Sequence, residues 1–412
     1  LIIRDFQTER GLDAVTVSAM VSWEQHRREP LRVFYTARGE VREFAGANAD
    51  AFLVAALLPA MRVGEERIMV EGETCPMLRD NLKTVADQYH SWYPKAMRRL
   101  RIESAGSRVV AKPERLCHAS MFTGGIDSMA VVAGNMQYFD EGDERRIRHA
   151  ILVQGFDIGG YHADPEGEAF ERAEKNARDM LAPHGVPLST VTTNLIDLYR
   201  SVVFWSDTHH GAGCASVGHL LAPGITDLHI GSTYDALTLH PWGSHLATDP
   251  YCTSSGLRVW HDSAHLSRVD KVAFLAKHVD WLDKSVVCFY PERAIKLGAL
   301  NCGSCEKCVR TRLELFAIGR AEVGSFATST LTARDIKLVN ISSEFGATTL
   351  RELIPMLEAN GHEEIAGAVR VRMRRWARQR VYRKFRGIPG MKKFVRASGP
   401  LRDKLLRVLV RK

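Results

Sequence analysis

Ser120-Met121-Phe122-Thr123-Gly124-Gly125-Ile126-Asp127-Ser128 is the stretch that decides the fold of this chain. Residues 116–122 are short and mostly apolar, as a buried parallel strand is, and residues 129–135 read as the start of a helix. Between them, Gly124 and Gly125 allow positive φ and let backbone N–H groups approach a ligand closely. Ser128 adds a hydroxyl, and the helix start adds unpaired amides and the positive end of a dipole, a combination suited to phosphate or pyrophosphate oxygens. A bare Gly-Gly turn also serves tight strand-to-helix connections for steric reasons. Strand, Thr-Gly-Gly-x-Asp-Ser and helix in succession form a more specific signal.

Downstream, strand and helix alternate. Residues 150–156, 188–193 and 225–231 read as buried strands, and 165–183 as a polar-faced helix. The pattern predicts an α/β fold with a doubly wound parallel sheet, whose ligands sit beyond the carboxyl ends of the strands. Gly155, Asp157, Asn194, Gly231 and Ser232 are therefore candidate ligand contacts, although each is also an ordinary turn residue. Ser267 reads as a helix N-cap, with Arg268 and Lys271 sharing a face behind it. These two cations either neutralise phosphate and substrate charge or form a solvated face. His209 and His210 are candidate bases or ligands, or else partly exposed imidazoles at a helix cap. Residues 241–250, rich in turn formers, suit a substrate pocket.

Residues 1–108 read as an α+β domain of their own, with strands at 31–36 and 68–70, an edge strand at 101–103, and helices at 51–61 and 77–88. No catalytic pattern appears there, and Cys75 reads as a small buried apolar residue. The expected organisation is thus 1–108, a nucleotide-binding domain with a metal knot over 109–325, and a helical basic region over 326–412. The net charge of +8 conceals an asymmetry. Residues 370–412 hold 17 Lys or Arg against Asp403 alone, a charge of +16, which leaves 39 basic and 47 acidic residues, or −8, elsewhere. In the tail a helix over 348–360 ends at Gly361, and a second begins near His362. Its apolar stripe is Ile365, Val369, Met373 and Trp376, with Arg372, Arg375, Arg378 and Arg380 on the remainder. A break at 387–390 and another helix through Leu401, Leu405 and Leu409 follow. Such a tail suits an anionic membrane surface or RNA, or packs on the acidic body.

Asn301-Cys302-Gly303-Ser304-Cys305-Glu306-Lys307-Cys308 is the second strong signal. Three thiolates at this spacing suit tetrahedral Zn2+, with Cys288 the best fourth ligand and His278 and His265 poorer ones; a redox thiol cluster is the alternative. Four thiolates leave no open position, so the metal would be structural. The cysteine usage points to a reducing compartment, and the absence of a signal-peptide pattern or membrane-length apolar run to a cytoplasmic protein, membrane-surface association through the tail left open.

The loop resembles that of the PP-loop ATP pyrophosphatases, the adenine nucleotide alpha-hydrolase group, which includes asparagine synthetase and 7-cyano-7-deazaguanine synthase. The likeness covers roughly 116–315; Thr123 stands where most members have Ser. It implies ATP bound on a doubly wound, HUP-type sheet and adenylation of a substrate oxygen with release of pyrophosphate. Ser120, Phe122, Thr123, Gly124, Gly125, Asp127 and Ser128 would hold ATP, and Asp127 would reach Mg2+. Asp127, Ser128, Arg268 and Lys271 would carry the chemistry on a small carboxylate or carbonyl substrate, with ammonia or an amine as external nucleophile. In the synthase a four-Cys zinc follows the sheet in a Cys-Gly-x-Cys-x-x-Cys-x-x-Arg pattern; here Thr311 takes the Arg position, between Arg310 and Arg312, and the upstream Cys lies farther away. The alternatives are sulfur transfer, for which Cys117, Cys214 and Cys252 are poorly placed, tRNA or nucleobase modification, and a non-catalytic nucleotide-binding protein.

Overall fold

The computed structural model describes residues 1–386 apart from 112–113, 162–163, 165, 223 and 342–343. The break at 387–390 and the helix through Leu401, Leu405 and Leu409 lie outside the described residues. Two compact units emerge, Leu1–Val286 and Val287–Lys412.

In the first unit the chain runs through β1 (Ile2–Arg10), β2 (Ala14–Ser22), β3 (Leu31–Arg38), α1 (Ala49–Val63), β4 (Arg67–Thr74), α2 (Pro76–Trp92) and β5 (Arg101–Ser107). It continues with β6 (His118–Met121), α3 (Ile126–Tyr138), β7 (Ile147–Gln154), α4 (Glu168–Leu181) and β8 (Leu188–Thr193). The three-residue α5 (Val202–Phe204) leads through a π turn (Trp205–His209) into α6 (His210–Leu221), followed by β9 (Asp227–Gly231), β10 (Arg258–Asp262) and α7 (Arg268–His278). Among the described residues these strands form one ten-stranded, mostly parallel sheet in the order β10-β9-β6-β7-β8-β3-β2-β1-β4-β5.

The first five strands therefore extend the sheet of the later ones, and no boundary falls near residue 108. The join is antiparallel, with Tyr35 opposite Thr193. Asn194 prolongs it: its Oδ1 accepts from Phe34 N at 3.0 Å and its Nδ2 donates to Arg32 O at 3.0 Å, so its carboxamide acts as one more rung of the ladder. Alternation covers the sheet on both sides. Met121, Ile151, Val153, Leu228 and Ile230 share a core with α1 and α6. Their neighbours Ala150 and Leu152 are buried on the opposite face, where α3 and α4 pack. Helix α1 is enclosed along almost its whole length; Asn48 caps its start and left-handed Gly64 its end.

The second unit holds α8 (Pro291–Lys296), α9 (Glu306–Ala317), α10 (Glu344–Ala359) and α11 (Glu363–Arg386). The cysteine run belongs to this unit rather than to the sheet, because its side chains pack with α9 and the segments that follow. Ile365, Ala366 and Val369 of α11 are buried, as a helix packed on α10 requires. No helix among the described residues is long and apolar enough to cross a membrane.

Candidate functional site

Strands β6, β7 and β8 run to one side and β9 and β10 to the other, so the order reverses between β6 and β9. The loop that follows β6 thus opens at the topological switch point, the position where parallel sheets bind ligands. Its shape comes from its own residues. Gly124 takes φ 71°, whereas Gly125 is extended at φ −85°, so one glycine supplies the left-handed turn. Ser128 closes the loop: its Oγ donates to Gly125 O at 3.0 Å and accepts from Thr123 N at 3.2 Å. Helix α3 starts at Gly125 without a side-chain cap, which leaves its first amides for another acceptor. Across the crevice Gly231 ends β9 so close to α3 that a Cβ there would lie 2.9 Å from Asp127 O. Glycine is required for this approach.

Two cations converge on the same turn. The capping box of Ser267 and Asp270 starts α7 so that Arg268 Nη1 lies 3.2 Å from Asp127 Oδ2 and Lys271 Nζ lies 3.3 Å from Asp127 Oδ1. Lys271 also donates to Ser232 O, and its side chain is fully buried. A buried ammonium is costly unless compensated. Two cations thus converge on one carboxylate beside uncapped helix amides at the switch point. Such an arrangement attracts an anion. The solvated-face reading of Arg268 and Lys271 does not hold, since their side chains are 16% and 0% exposed and both pair with Asp127.

Other expected contacts lie elsewhere. Ser120 and Phe122 are wholly buried; Ser120 Oγ donates to Met121 O, and Phe122 meets Trp281 edge-on. Their side chains belong to the core. Gly155, at φ 101°, would place a Cβ 1.8 Å from Thr193 O, so backbone packing explains it. Asp157 accepts from Trp205 Nε1 at 3.1 Å, and Asn194 is committed to β3. Gly155 and Asn194 do line one cleft of about 300 Å³, with Phe34, Gln154, Thr192 and Arg200, beyond the carboxyl ends of β7 and β8. His209 is buried rather than partly exposed; it bonds Ala55 O at 2.8 Å, and burial pulls its imidazole down to about 4. Burial also lowers His210, which meets Trp205 O at 3.1 Å. His209 presents no base to solvent, whereas His210 is half-buried.

Two histidine–aspartate pairs missed in the sequence underlie the crevice. On one face His261 joins Ser232 to Asp249: Nε2 lies 2.8 Å from Ser232 Oγ and Nδ1 2.9 Å from Asp249 Oδ2. Asp249 also accepts from Ser244 Oγ at 2.5 Å and His245 N at 3.2 Å, so the loop expected as a substrate pocket folds inward. The spacing resembles a nucleophilic triad, but Ser232 is buried and its hydroxyl donates to Tyr234 O at 2.5 Å. The array therefore fixes Ser232, whose carbonyl receives Lys271. On the other face His229 bridges Asp262 at 2.8 Å and His118 at 2.9 Å. Burial raises the Asp262 carboxyl, but the hydrogen bond and charge of His229 bring it below its ordinary value. His261→Gln, which retains one polar contact, is expected to lower stability by about 1–2 kcal/mol in urea titration; unchanged stability would show that the array holds nothing.

In the second unit the Sγ atoms of Cys288, Cys302, Cys305 and Cys308 all lie within 4.8 Å of one another and could hold a metal ion such as zinc. Cys288–Cys305 at 3.9 Å and Cys302–Cys308 at 4.0 Å are near the ~3.8 Å edge of a tetrahedron with Zn–S of about 2.3 Å. Bonding from Cys288 and Cys308 holds the Cys305 thiol far below its ordinary value, and bonding from Cys288 and Cys305 pushes Cys308 far up, as expected of sulfurs crowded together. Gly303 at φ 72° turns the knuckle, and Cys305 caps α9, accepting from Cys308 N. The distant ligand is brought in by Asn301, which the sequence did not single out: its Oδ1 accepts from Val287 N at 2.7 Å and Cys288 N at 3.0 Å. Buried Arg312 donates to Gly303 O at 2.8 Å, placing a cation behind the thiolates, while Thr311 is buried.

Compared with protein families, curated proteins and solved structures, the chain has no match.

Proposed function

We propose that the chain is a PP-loop type, AMP- and pyrophosphate-forming ligase that adenylates a carbonyl or carboxylate oxygen of a small molecule for attack by ammonia or an amine. The observation that carries this reading is the convergence of Arg268 and fully buried Lys271 on Asp127, at the uncapped start of α3 and the β6/β9 switch point. ATP phosphates would lie against the amides of the Thr123–Ser128 turn, with the Ser128 hydroxyl shaping it. Arg268 and Lys271 would take up the charge that develops on departing pyrophosphate. Asp127 holds both cations in place, and Ser232 fixes Lys271 through its carbonyl. Magnesium would accompany the triphosphate and offset its charge, with Asp127 the carboxylate placed to reach it. The four-sulfur set fits a closed, structural zinc.

The thiols speak against sulfur transfer. Burial pushes Cys117, Cys214 and Cys252 upward, and a buried thiol is a poor nucleophile. Pyrophosphate release in the presence of ATP and candidate carboxylates separates a ligase from a nucleotide-binding protein without turnover. Gly124→Ala tests the loop itself. A Cβ at φ 71° costs about 1–2 kcal/mol and forces the turn to change, so ATP affinity should fall at least tenfold by calorimetry while the protein stays folded. Affinity equal to the parent's would remove the loop from nucleotide binding.

A further inference from the structure

Helix α11 outlasts its own packing. Its first turns bury Ile365, Ala366 and Val369, but among the described residues none from Arg370 to Arg380 is buried. That span carries Arg370, Arg372, Arg374, Arg375, Arg378 and Arg380, and the sequence has no acidic residue between Glu364 and Asp403. Arg374 Nε reaches back to Arg370 O at 3.4 Å within the helix, whereas two of the arginines tie it to other segments: Arg370 pairs with Glu358 at 2.6 Å, and Arg372 Nε donates to Val339 O at 3.0 Å. They anchor the helix where it leaves the bundle. Arg374, Arg375 and Arg378 stand exposed, three and four residues apart on one face. Like charges at this spacing destabilise an isolated helix, and a helix gains most of its stability from a packed face. An anionic partner would remove both penalties.

We propose that this arginine face of α11 docks on the phosphate backbone of a polynucleotide. The choice over a lipid surface follows from the opposite side of the helix. An interfacial helix buries a broad apolar face among acyl chains. Beyond Val369 that side offers Met373, Trp376 and Ala377, while exposed Val371 stands among the arginines; Arg380 lies over the Trp376 ring at 5.5 Å, so inserting the tryptophan would drag a guanidinium with it. Arginine forks instead suit phosphate oxygens, which they can bond in bidentate fashion. The observation is independent of the ATP site.

The test uses the full chain and its Arg374→Gln/Arg375→Gln/Arg378→Gln variant. Binding to a short single-stranded RNA, to RNA and DNA duplexes, and to phosphatidylglycerol-containing vesicles is followed from ~50 to ~200 mM salt. The parent should bind at least one of the polynucleotides; which one it prefers assigns RNA or DNA. The variant should lose about tenfold or more in affinity at low salt, and its log–log salt slope should shrink by about 2–3. A triple lysine variant should keep most of the slope, and equal melting temperatures would show all three folded. Vesicle binding without polynucleotide binding, no binding to any polynucleotide at low salt, or an unchanged slope in the glutamine variant would overturn the proposal.

Discussion

Lys271→Met is expected to abolish ATP-dependent pyrophosphate release almost completely while leaving the fold intact. Methionine has nearly the same length and suits the fully buried position, and Asp127 is not left as an uncompensated buried charge, because its carboxylate is 24% exposed and still pairs with Arg268. The loss is confined to what the ammonium does: Ser232 O forfeits its donor and Asp127 keeps only Arg268. An unpaired buried carbonyl costs about 1–3 kcal/mol, so a modest fall in melting temperature is expected. Removal of one preorganised group that stabilises developing charge typically costs ~10²–10³ in rate. The phosphate reading therefore predicts a fall of that order in pyrophosphate release, with a smaller change in ATP affinity, since Arg268 and the α3 amides remain. Lys271→Arg keeps the charge and should restore part of the rate only if the guanidinium fits the same space. A Lys271→Met protein that melts like the parent and turns over within about threefold of it would leave the lysine a structural residue.

The features legible in the sequence were those whose chemistry is local. The turn around Gly124, the Ser267 cap and the Cys302–Cys308 knuckle each depend on residues within a few positions, so their spacing shows them directly. Long-range geometry was not available in that way. Strand β3 was visible from its β-branched and aromatic run, yet nothing in it announces that Tyr35 pairs with Thr193 and joins two expected domains into one sheet. Strand β1 is largely exposed and charged, and β10 consists of Arg258, Val259, Trp260, His261 and Asp262, so neither carries an apolar signal. Its histidine and aspartate are accommodated by hydrogen bonds to partners from other segments. The same limit explains the misplaced contacts. Ser120 and Phe122 adjoin the loop in sequence, but strand geometry turns their side chains into the core. Asn194 sits at a strand end, as a ligand contact would, and spends its carboxamide on β3 instead. Lys271 and Asp127 are far apart in the chain, and only the packing of α7 on α3 makes them partners.

Cys305→Ala should empty the metal centre and destabilise the second unit. Cys305 has two roles: it supplies a sulfur and caps α9 through the Cys308 amide. Alanine removes both, and loss of an N-cap alone is worth about 1 kcal/mol. The larger loss comes from the metal, because binding energy in a structural zinc site is folding energy. With three sulfurs left, Asn301 would still hold the Cys288 amide, but nothing would tie that ligand to the knuckle. Parent protein is expected to contain about one zinc per chain by elemental analysis, and the variant almost none. The variant should lose its metal-dependent melting transition, and a strong chelator should move the parent's transition toward it. Arg312 offers a control on the same centre: Arg312→Met leaves four ligands in place but removes the buried cation behind them, so zinc should bind more weakly without being lost. Iron with visible absorption in the parent, or a Cys305→Ala protein that keeps its zinc and its melting curve, would mean that these sulfurs do not hold the unit together through zinc.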